Sequence, residues 1–277
     1  MIKKVEKILL NAGIKEAKAE AKLIVTSVSG QSLEDIVLGN KINNEDKILE
    51  IAKKRAETKA PIQHLLGFSY FMGEKYLVNP SVLIPRDETE LLVVEAYNLL
   101  KDKQGKINVL DIGAGSGCIS IELAKKLKDK DIEILAVDIS MPAITVALEN
   151  ANKHDVIRKV IFRKSDIYSK IRDIEKFDLI VSNPPYIPLK DKENLQNEVK
   201  NFDPEIALFT SDELGIEFYK KIIEGSKKYL KEGGSIAFEM GINQSSSIEN
   251  IFIKNNFKNI KITKDLAGIN RVITANI

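Results

Sequence analysis

Apolar residues in the first part of the chain recur at the three- and four-residue spacing of short helices, with glycines between the runs. We therefore predict a small helical bundle over residues 1–60. In the next stretch, 61–86, aromatic and apolar positions flank Met72-Gly73-Glu74. This pattern is typical of a β-hairpin, so residues 61–86 are interpreted as a linker that contains one.

From residue 107 onward, short apolar runs alternate with longer helical stretches, which is typical of parallel βα units. The predicted strands are 107–112, 132–137, 160–163, 177–182, 235–240, 260–263 and 271–275. The predicted helices between them are 117–128, 142–153, 215–230 and 244–255. Because no helix separates the last two strands, we expect them to form an antiparallel hairpin at one edge. Residues 87–277 are thus predicted to form one α/β domain with a seven-stranded, mostly parallel sheet.

Composition narrows the chemistry. The 277 residues include two histidines, one cysteine and no tryptophan. A disulfide within the chain is excluded, and the ligand clusters of a His/Cys zinc site are missing, so we expect no metal. A nucleophilic triad would depend on one of two isolated histidines, which favours a reactive group brought in by a cofactor.

Targeting signals are not visible in the sequence. Charged residues interrupt the first 22 positions every few residues, so these positions offer no apolar core of a secretory signal. The uncharged run 179–189 is too short to span a bilayer. We therefore expect a cytoplasmic protein without a membrane partner, and a monomer.

A glycine-rich loop follows the first predicted strand of the α/β domain. Gly113, Gly115 and Gly117 stand in the sequence VLDIGAGSGC, directly before an amphipathic helix. Glycines let a backbone turn sharply and approach a ligand, and a helix N-terminus offers free N–H groups. The spacing is G-x-G-x-G and lacks the later glycine of the dinucleotide fingerprint, which weakens a pyrophosphate site. The loop is a candidate cofactor site, and the alternative is a purely structural turn.

Acidic residues follow the next two predicted strands. Asp138 ends the second strand, where a carboxylate can accept hydrogen bonds from both hydroxyls of a ribose. The alternative is an aspartate that caps the next helix. Asp166 follows the third strand and could accept a hydrogen bond from an adenine amine, while Ile167 could cover the ring.

The fourth strand is followed by the most informative segment of the chain, Asn183-Pro184-Pro185-Tyr186. Two consecutive prolines remove two backbone donors and stiffen the turn. The remaining acceptors are the side-chain oxygen of Asn183 and the carbonyl of Pro184, with the Tyr186 ring as a flat wall. This arrangement suits a planar NH2 group, each of whose hydrogens needs an acceptor. The alternative is a rigid turn with no chemical role.

Together these residues resemble the class I S-adenosylmethionine-dependent methyltransferases that methylate amide or exocyclic amine nitrogens. The resemblance implies a Rossmann-like fold from about residue 107 and S-adenosylmethionine as cofactor. It implies that the cofactor is held by Gly113, Ala114, Gly115, Ser116, Gly117, Asp138, Asp166, Ile167 and Asn183. It implies that the target nitrogen is presented by Asn183, Pro184, Pro185 and Tyr186, with Asn183, Pro184 and Tyr186 as the catalytic residues.

The linker sequence separates the subgroups of this class. The stretch from Leu83 to Glu90 reads LIPRDETE and is similar to the L-I-P-R-P-E-T-E of the release factor glutamine methyltransferases. The stretches PIQHLLG from Pro61 and FDPEIAL from Phe202 are similar to that family as well. Three departures are His64 for tyrosine, Asp87 for proline, and Ile167 for a larger aromatic residue, the last of which affects the expected adenine contact.

The family resemblance implies methyl transfer to the glutamine of the Gly-Gly-Gln tripeptide in peptide chain release factors, with residues 1–60 as a recognition domain. One alternative is an adenine or cytosine amino-methyltransferase acting on DNA or RNA. A strongly basic face would then be expected, whereas the formal net charge is only +2. A protein substrate without a nucleic-acid requirement is therefore favoured. Another alternative, a scaffold without activity, is disfavoured by the intact segment 183–186.

Overall fold

The computed structural model describes all 277 residues, which divide into two compact units. Unit 1 comprises residues 1–68 together with 196–202, and unit 2 comprises residues 69–195 together with 203–277. A short segment late in the chain thus belongs to the same unit as the N-terminus. The three-part functional division that the sequence suggests stays a prediction.

Unit 1 is built of helices, and only its boundary residue Phe68 belongs to a strand. Its helices in the N-terminal part are α1 (Ile2–Asn11), α2 (Ala17–Ser29), α3 (Leu33–Val37), α4 (Glu45–Thr58) and α5 (Ile62–Leu66). The late segment adds Asn197–Phe202, which is α9 in chain order. Gly30 ends α2 with a positive φ of 71°, a conformation that glycine adopts without strain. The apolar stripes of α1, α2 and α4 meet in one core, which confirms the predicted bundle.

The core of unit 1 holds one ionised side chain, Arg55 of α4, which is only 2% exposed. Its Nε and Nη2 atoms donate to the two carboxylate oxygens of Glu20 at 2.7 Å each. Nη2 also donates to Glu198 of α9 at 2.6 Å, and Nη1 donates to the carbonyls of Lys59 and Ala60. Every nitrogen of this guanidinium therefore has a partner, as a buried charge requires.

Unit 2 is built on one seven-stranded sheet. Its strands are β3 (Ile107–Ile112), β4 (Ile132–Asp138), β5 (Val160–Lys164), β6 (Phe177–Ser182), β9 (Leu230–Glu239), β10 (Lys258–Lys264) and β11 (Asn270–Asn276). Two small sheets stand apart from it, β1 (Phe68–Phe71) with β2 (Glu74–Leu77), and β7 (Ile187–Pro188) with β8 (Phe209–Thr210). The first of these is the hairpin predicted in the linker.

The strand order of the large sheet is β10-β11-β9-β6-β3-β4-β5. The five strands from β9 to β5 pair in parallel, whereas β11 pairs antiparallel with both β9 and β10. Strands β4 and β5 follow on one side of β3, whereas β6 lies on its other side, so the order in which strands are added to the sheet changes direction at β3. In open α/β sheets this switch point is where ligands bind, outside the carboxyl ends of the strands. The predicted sheet and its antiparallel edge are confirmed.

Helices cover both faces of the sheet. They are α6 (Asp87–Leu100), α7 (Cys118–Lys126), α8 (Met141–Lys153), α11 (Glu217–Ser226) and α12 (Ser245–Lys254), while the short helix α10 (Glu205–Leu208) belongs to the stretch after Tyr186. Alternate residues of the central strands point to opposite faces. Val109 and Val181 pack with α6 and α7 on one face, and Leu110 and Ile180 pack with α11 and α12 on the other. Burial on both faces explains why these strands are continuous apolar runs.

Two sequence expectations need correction. The helix predicted over 215–230 ends at Ser226, and β9 begins at Leu230, earlier than the predicted residue 235. The reason is pairing, because Leu230 lies opposite Phe177 of β6. The stretch after Tyr186, for which no elements were predicted, contains β7, a 3-10 helix at Leu189–Asn194, α9, α10 and β8. None of the helices of the protein has the length and apolar character needed to cross a membrane.

Candidate active site

The register of the sheet brings the predicted functional residues to one edge. Ile112 of β3 lies opposite both Val137 of β4 and Ser182 of β6, and Ser182 lies opposite Phe238 of β9. The residues that come next along these four strands are therefore neighbours at the carboxyl edge of the sheet. They are Gly113, Asp138, Asn183 and Glu239.

A cavity of about 270 Å³ opens at this edge, entirely within unit 2. The predicted site residues that line it are Gly113, Ala114, Gly115, Ser116, Asp138, Asp166, Ile167, Asn183, Pro184 and Pro185. Gly117 and Tyr186 are not among the lining residues. Ten residues predicted from four separate loops thus line one concave site, the kind of place where small molecules bind.

The glycine loop turns through left-handed backbone conformations. Gly113, Gly115 and Gly117 have φ values of 78°, 55° and 80°. Gly117 precedes α7, and a Cβ atom there would lie 3.1 Å from the Cβ of Ala147 on α8. Gly117 is therefore needed for the close approach of α7 and α8, while Gly113 and Gly115 bring the backbone to the cavity.

Asp138 holds the glycine loop in place. Its Oδ2 accepts the N–H of Gly115 at 2.9 Å, and its Oδ1 accepts the N–H of Ser140 at 2.9 Å. Burial raises the pKa of Asp138, and these backbone hydrogen bonds oppose the shift. Each carboxylate oxygen keeps a second lone pair, so the side chain can still accept hydrogen bonds from a ligand in the cavity.

Asp111, two residues before the glycine loop, is completely buried. Its Oδ2 accepts a hydrogen bond from the Ser120 hydroxyl at 2.6 Å, while its Oδ1 has no partner. Burial raises the pKa of Asp111 to about 7, and the charge of Asp138 acts in the same direction. The residue two positions before the loop is therefore a buried carboxyl group with one oxygen that accepts no hydrogen bond.

Asp166 and Ile167 follow β5 in a loop shaped by serine side chains. The Ser165 hydroxyl donates to the carbonyl of Ile167 at 2.9 Å, and Ser169 Oγ accepts the N–H of Asp166 at 3.1 Å. Ile167 has a φ of 47°, which is unusual for a β-branched residue. This conformation is consistent with a loop shaped to place Ile167 at the cavity wall.

The segment Asn183 to Tyr186 is fixed from several sides. Asn183 Nδ2 donates to Thr89 Oγ1 at 3.3 Å, and the Tyr186 carbonyl accepts from Gln244 Nε2 at 2.8 Å. The Tyr186 hydroxyl donates to Glu239 Oε1 at 3.5 Å. Because the Asn183 NH2 group faces Thr89, the Asn183 side-chain oxygen remains available as an acceptor. The Pro184 carbonyl is the second acceptor.

Sequence reasoning missed Glu239 and could assign no role to Thr89, two polar residues of this site. Thr89 of α6 lines the cavity, and Glu239 ends β9 beside Asn183. Thr89 Oγ1 donates to Glu239 Oε2 at 2.6 Å. The signal that could have identified Glu239 was its place at the end of a parallel strand, like Asp138. The signal for Thr89 was its place within LIPRDETE.

The same linker motif is tied to a second motif. Arg86 donates to Asp203 at 2.6 Å, and burial raises the pKa of Asp203 while the charge of Arg86 opposes this. Asp203 precedes Pro204, Ile206 and Ala207, which line the cavity. The ion pair therefore fixes the stretch FDPEIAL at the cavity rim.

Comparisons with known proteins find relatives of this chain. A family model described as the methyltransferase small domain matches residues 88–201. The chain is 41% identical over 242 residues to a release factor glutamine methyltransferase of Fusobacterium nucleatum, covering 86% of this chain and 66% of that relative. It is 34% identical over 273 residues to the protein of the same name from Geobacter sulfurreducens, covering 97% of this chain and 93% of that relative.

Among solved structures, a methyltransferase from Pyrococcus furiosus matches with a TM-score of 0.52 at 20% identity. The match covers 84% of this chain and 98% of that protein. At this level of identity the likeness concerns the fold alone.

Proposed function

The chain belongs to the release factor glutamine methyltransferase family, and from that premise we propose that it methylates peptide chain release factors. The proposed reaction moves a methyl group from S-adenosylmethionine to the side-chain amide nitrogen of the glutamine in the Gly-Gly-Gln tripeptide. The observation that carries the proposal is the pair of acceptors, Asn183 Oδ1 and the Pro184 carbonyl, at the rim of a cavity that begins at the glycine loop.

The residues of the cavity fit S-adenosylmethionine. Two carboxylates, Asp138 and Asp166, line it against one cation, Lys221. This excess of negative charge suits a ligand that carries an ammonium and a sulfonium group. In the proposal, residues 113–117 hold the methionine part, Asp138 the ribose, and Asp166 with Ile167 the adenine. When bound, the cofactor supplies the electrophilic methyl group.

An amide nitrogen is a weak nucleophile because its lone pair is delocalised into the carbonyl. Asn183 and Pro184 would each accept one N–H of the substrate amide, which orients the nitrogen and stabilises the positive charge that develops on it. The stiff Pro184-Pro185 pair keeps these acceptors in place before the substrate arrives. The methylated nitrogen is acidic enough to release its proton to water, so no strongly basic side chain is needed.

The proposal is tested by incubating the chain with S-adenosylmethionine carrying a labelled methyl group and a purified release factor. We expect label on the factor, and none on a factor whose tripeptide glutamine is changed to alanine. Asn183→Ala should lower turnover by about 100- to 1000-fold, the range found when one such oriented group is removed, while cofactor affinity stays nearly unchanged. Asn152→Ala, an exposed asparagine of α8, is the matched control.

Label on an adenine or cytosine of DNA or RNA, with none on the release factor, would favour the nucleic-acid alternative. Turnover retained by Asn183→Ala would contradict the role of its side chain. In the proposal, residues 1–60 recognise the release factor, and their interspersed Lys and Glu side chains suit a protein surface. The cytoplasmic location and the monomeric state stay predictions.

A further inference from the structure

Glu239 is an acidic side chain enclosed in the protein interior beside the substrate acceptors. It is 2% exposed and ends β9, the strand that pairs with β6. Since Ser182 of β6 lies opposite Phe238, Asn183 and Glu239 are the next residues on adjacent strands. A carboxyl group in this place needs polar partners, and its partners are the residues of the site.

The hydrogen bonds around Glu239 have a defined direction. Thr89 Oγ1 lies 2.6 Å from Glu239 Oε2, and Asn183 Nδ2 lies 3.3 Å from the same Thr89 oxygen. A hydroxyl has one hydrogen, and here that hydrogen is donated to the carboxylate. Toward Asn183 the hydroxyl can therefore only accept, so the amide must present its NH2 group to Thr89.

Resting on the function proposed above, we propose that Glu239 is a positioning residue for the Asn183 amide, acting on it directly and through Thr89. The ionised carboxylate sets the direction of the Thr89 hydroxyl, and the hydroxyl sets which side of the Asn183 amide faces the substrate. In this orientation Oδ1 is left free to accept the substrate N–H. Without this constraint, the Asn183 amide can turn and present its NH2 group to the N–H of the substrate, where no hydrogen bond can form.

The setting of Glu239 makes this arrangement sensitive to pH. Burial raises the pKa of Glu239 to about 7, and the Thr89 hydrogen bond opposes the shift. Among the charged groups, Glu88 raises this pKa and Arg271 lowers it. The other polar or titratable groups that act on Glu239 are Asn183, Tyr186, Tyr219 and Cys118.

Protonation reverses the direction of the hydrogen bonds. A neutral carboxyl group can donate to Thr89 Oγ1, and the Thr89 hydrogen is then free to be donated to Asn183. The Asn183 amide can then turn so that its Oδ1 accepts this hydrogen. We therefore expect kcat to fall as pH drops through the pKa of Glu239. Substrate KM should change less, because turning the Asn183 amide leaves the shape of the substrate site unchanged.

Thr89 provides the first test, since valine has the same shape without the hydroxyl. Thr89→Val should lower kcat by at least about tenfold, with the dissociation constant for S-adenosylmethionine within about twofold. Thr89→Ser, which keeps the hydroxyl, should restore kcat to within about threefold. A Thr89→Val variant with wild-type kcat would overturn the proposal.

Glu239→Gln provides the second test, because glutamine does not titrate. The acid limb of the wild-type kcat profile near pH 7 should be missing in this variant, whatever its maximal rate. Glu232→Gln, an exposed glutamate on the same strand, should keep the limb. Persistence of the limb in Glu239→Gln contradicts the proposal.

A third measurement does not depend on methyl transfer. In the chain without substrate, the side-chain amide resonances of Asn183 should shift with a midpoint near pH 7, and should not shift in Glu239→Gln. A wild-type chain that labels no release factor would defeat the proposed function, yet this titration would still test the positioning role. An amide signal that is unmoved in the wild type overturns it.

Discussion

Arg55 of unit 1 and two acids near the candidate site of unit 2 are buried ionisable groups with different surroundings. In unit 1, every nitrogen of Arg55 donates to a carboxylate or a backbone carbonyl. In unit 2, Asp111 is completely buried with one oxygen unpartnered, and burial raises the pKa values of Asp111 and Glu239 to about 7. Arg55 is fully satisfied by the fold, whereas Asp111 keeps one oxygen without a partner and the hydrogen bonds of Glu239 do not offset the effect of burial on its pKa.

This difference separates structural from functional burial. A buried ion whose hydrogen bonds are complete contributes to a fixed fold, and breaking its partnership is destabilising. A buried acid with a raised pKa holds free energy that a bound ligand or a proton can release, which is why such groups cluster at active sites. Substitution of Arg55 should therefore affect mainly stability, and substitution of the acids of the site mainly binding and pH response.

The largest effect is expected from Arg55→Ala. The substitution removes the donors to the Glu20 carboxylate and to the carbonyls of Lys59 and Ala60. The free energy of unfolding should therefore fall by about 3 kcal/mol. Urea unfolding measures the loss, and hydrogen exchange locates it in unit 1. Lys54→Ala, an exposed neighbour on the same helix, should change stability by less than about 0.5 kcal/mol. Equal losses in the two variants would remove the contrast.

A smaller effect is expected from Asp138→Asn in unit 2. The new amine group would face the N–H of Gly115 or of Ser140, so the loop and its ligand contacts would be disturbed. We expect the dissociation constant for S-adenosylmethionine to rise about tenfold, equivalent to about 1.4 kcal/mol. Titration calorimetry measures it. Glu133→Gln, exposed at the other end of β4, is the control, and unchanged affinity in Asp138→Asn would contradict the assigned role.

The smallest effect concerns pH. The native state holds the Asp111 proton up to about pH 7, whereas the unfolded chain releases it near the ordinary pKa of 3.8. Between these values the native state binds more protons, so the free energy of unfolding falls as pH rises and is constant above this range. Asp111→Asn should flatten this slope by on the order of 1 kcal/mol per pH unit, measured by urea unfolding across the range.

Asp129→Asn, an exposed aspartate, should leave the slope unchanged. The slope that remains in Asp111→Asn is expected mainly from Glu239, whose pKa is also raised to about 7, with contributions from Asp138 and Asp203, whose pKa values are raised as well. A full slope in the double variant Asp111→Asn with Glu239→Gln would show that neither acid has the pKa assigned to it.

Local patterns were sufficient to predict the sheet and most of the residues at its edge. Strands buried on both faces are continuous apolar runs, and Asp138 and Asn183 follow directly from where those runs end. The pairing of Thr89 with Glu239 could not be predicted in this way, because 150 positions separate them and only the sheet register brings them together. The start of β9 was missed for the same reason, since Leu230 is a strand residue only through its pairing with Phe177.

The late helix α9 has a consequence for how the protein can be divided. The backbone passes between the two units three times, at 68/69, 195/196 and 202/203. A fragment that stops at residue 68 lacks Glu198 and exposes part of the Arg55 guanidinium, and a fragment that starts at residue 69 carries α9 without its partners. The helical bundle of unit 1 therefore cannot be transferred intact to another methyltransferase domain by truncating the chain at one position.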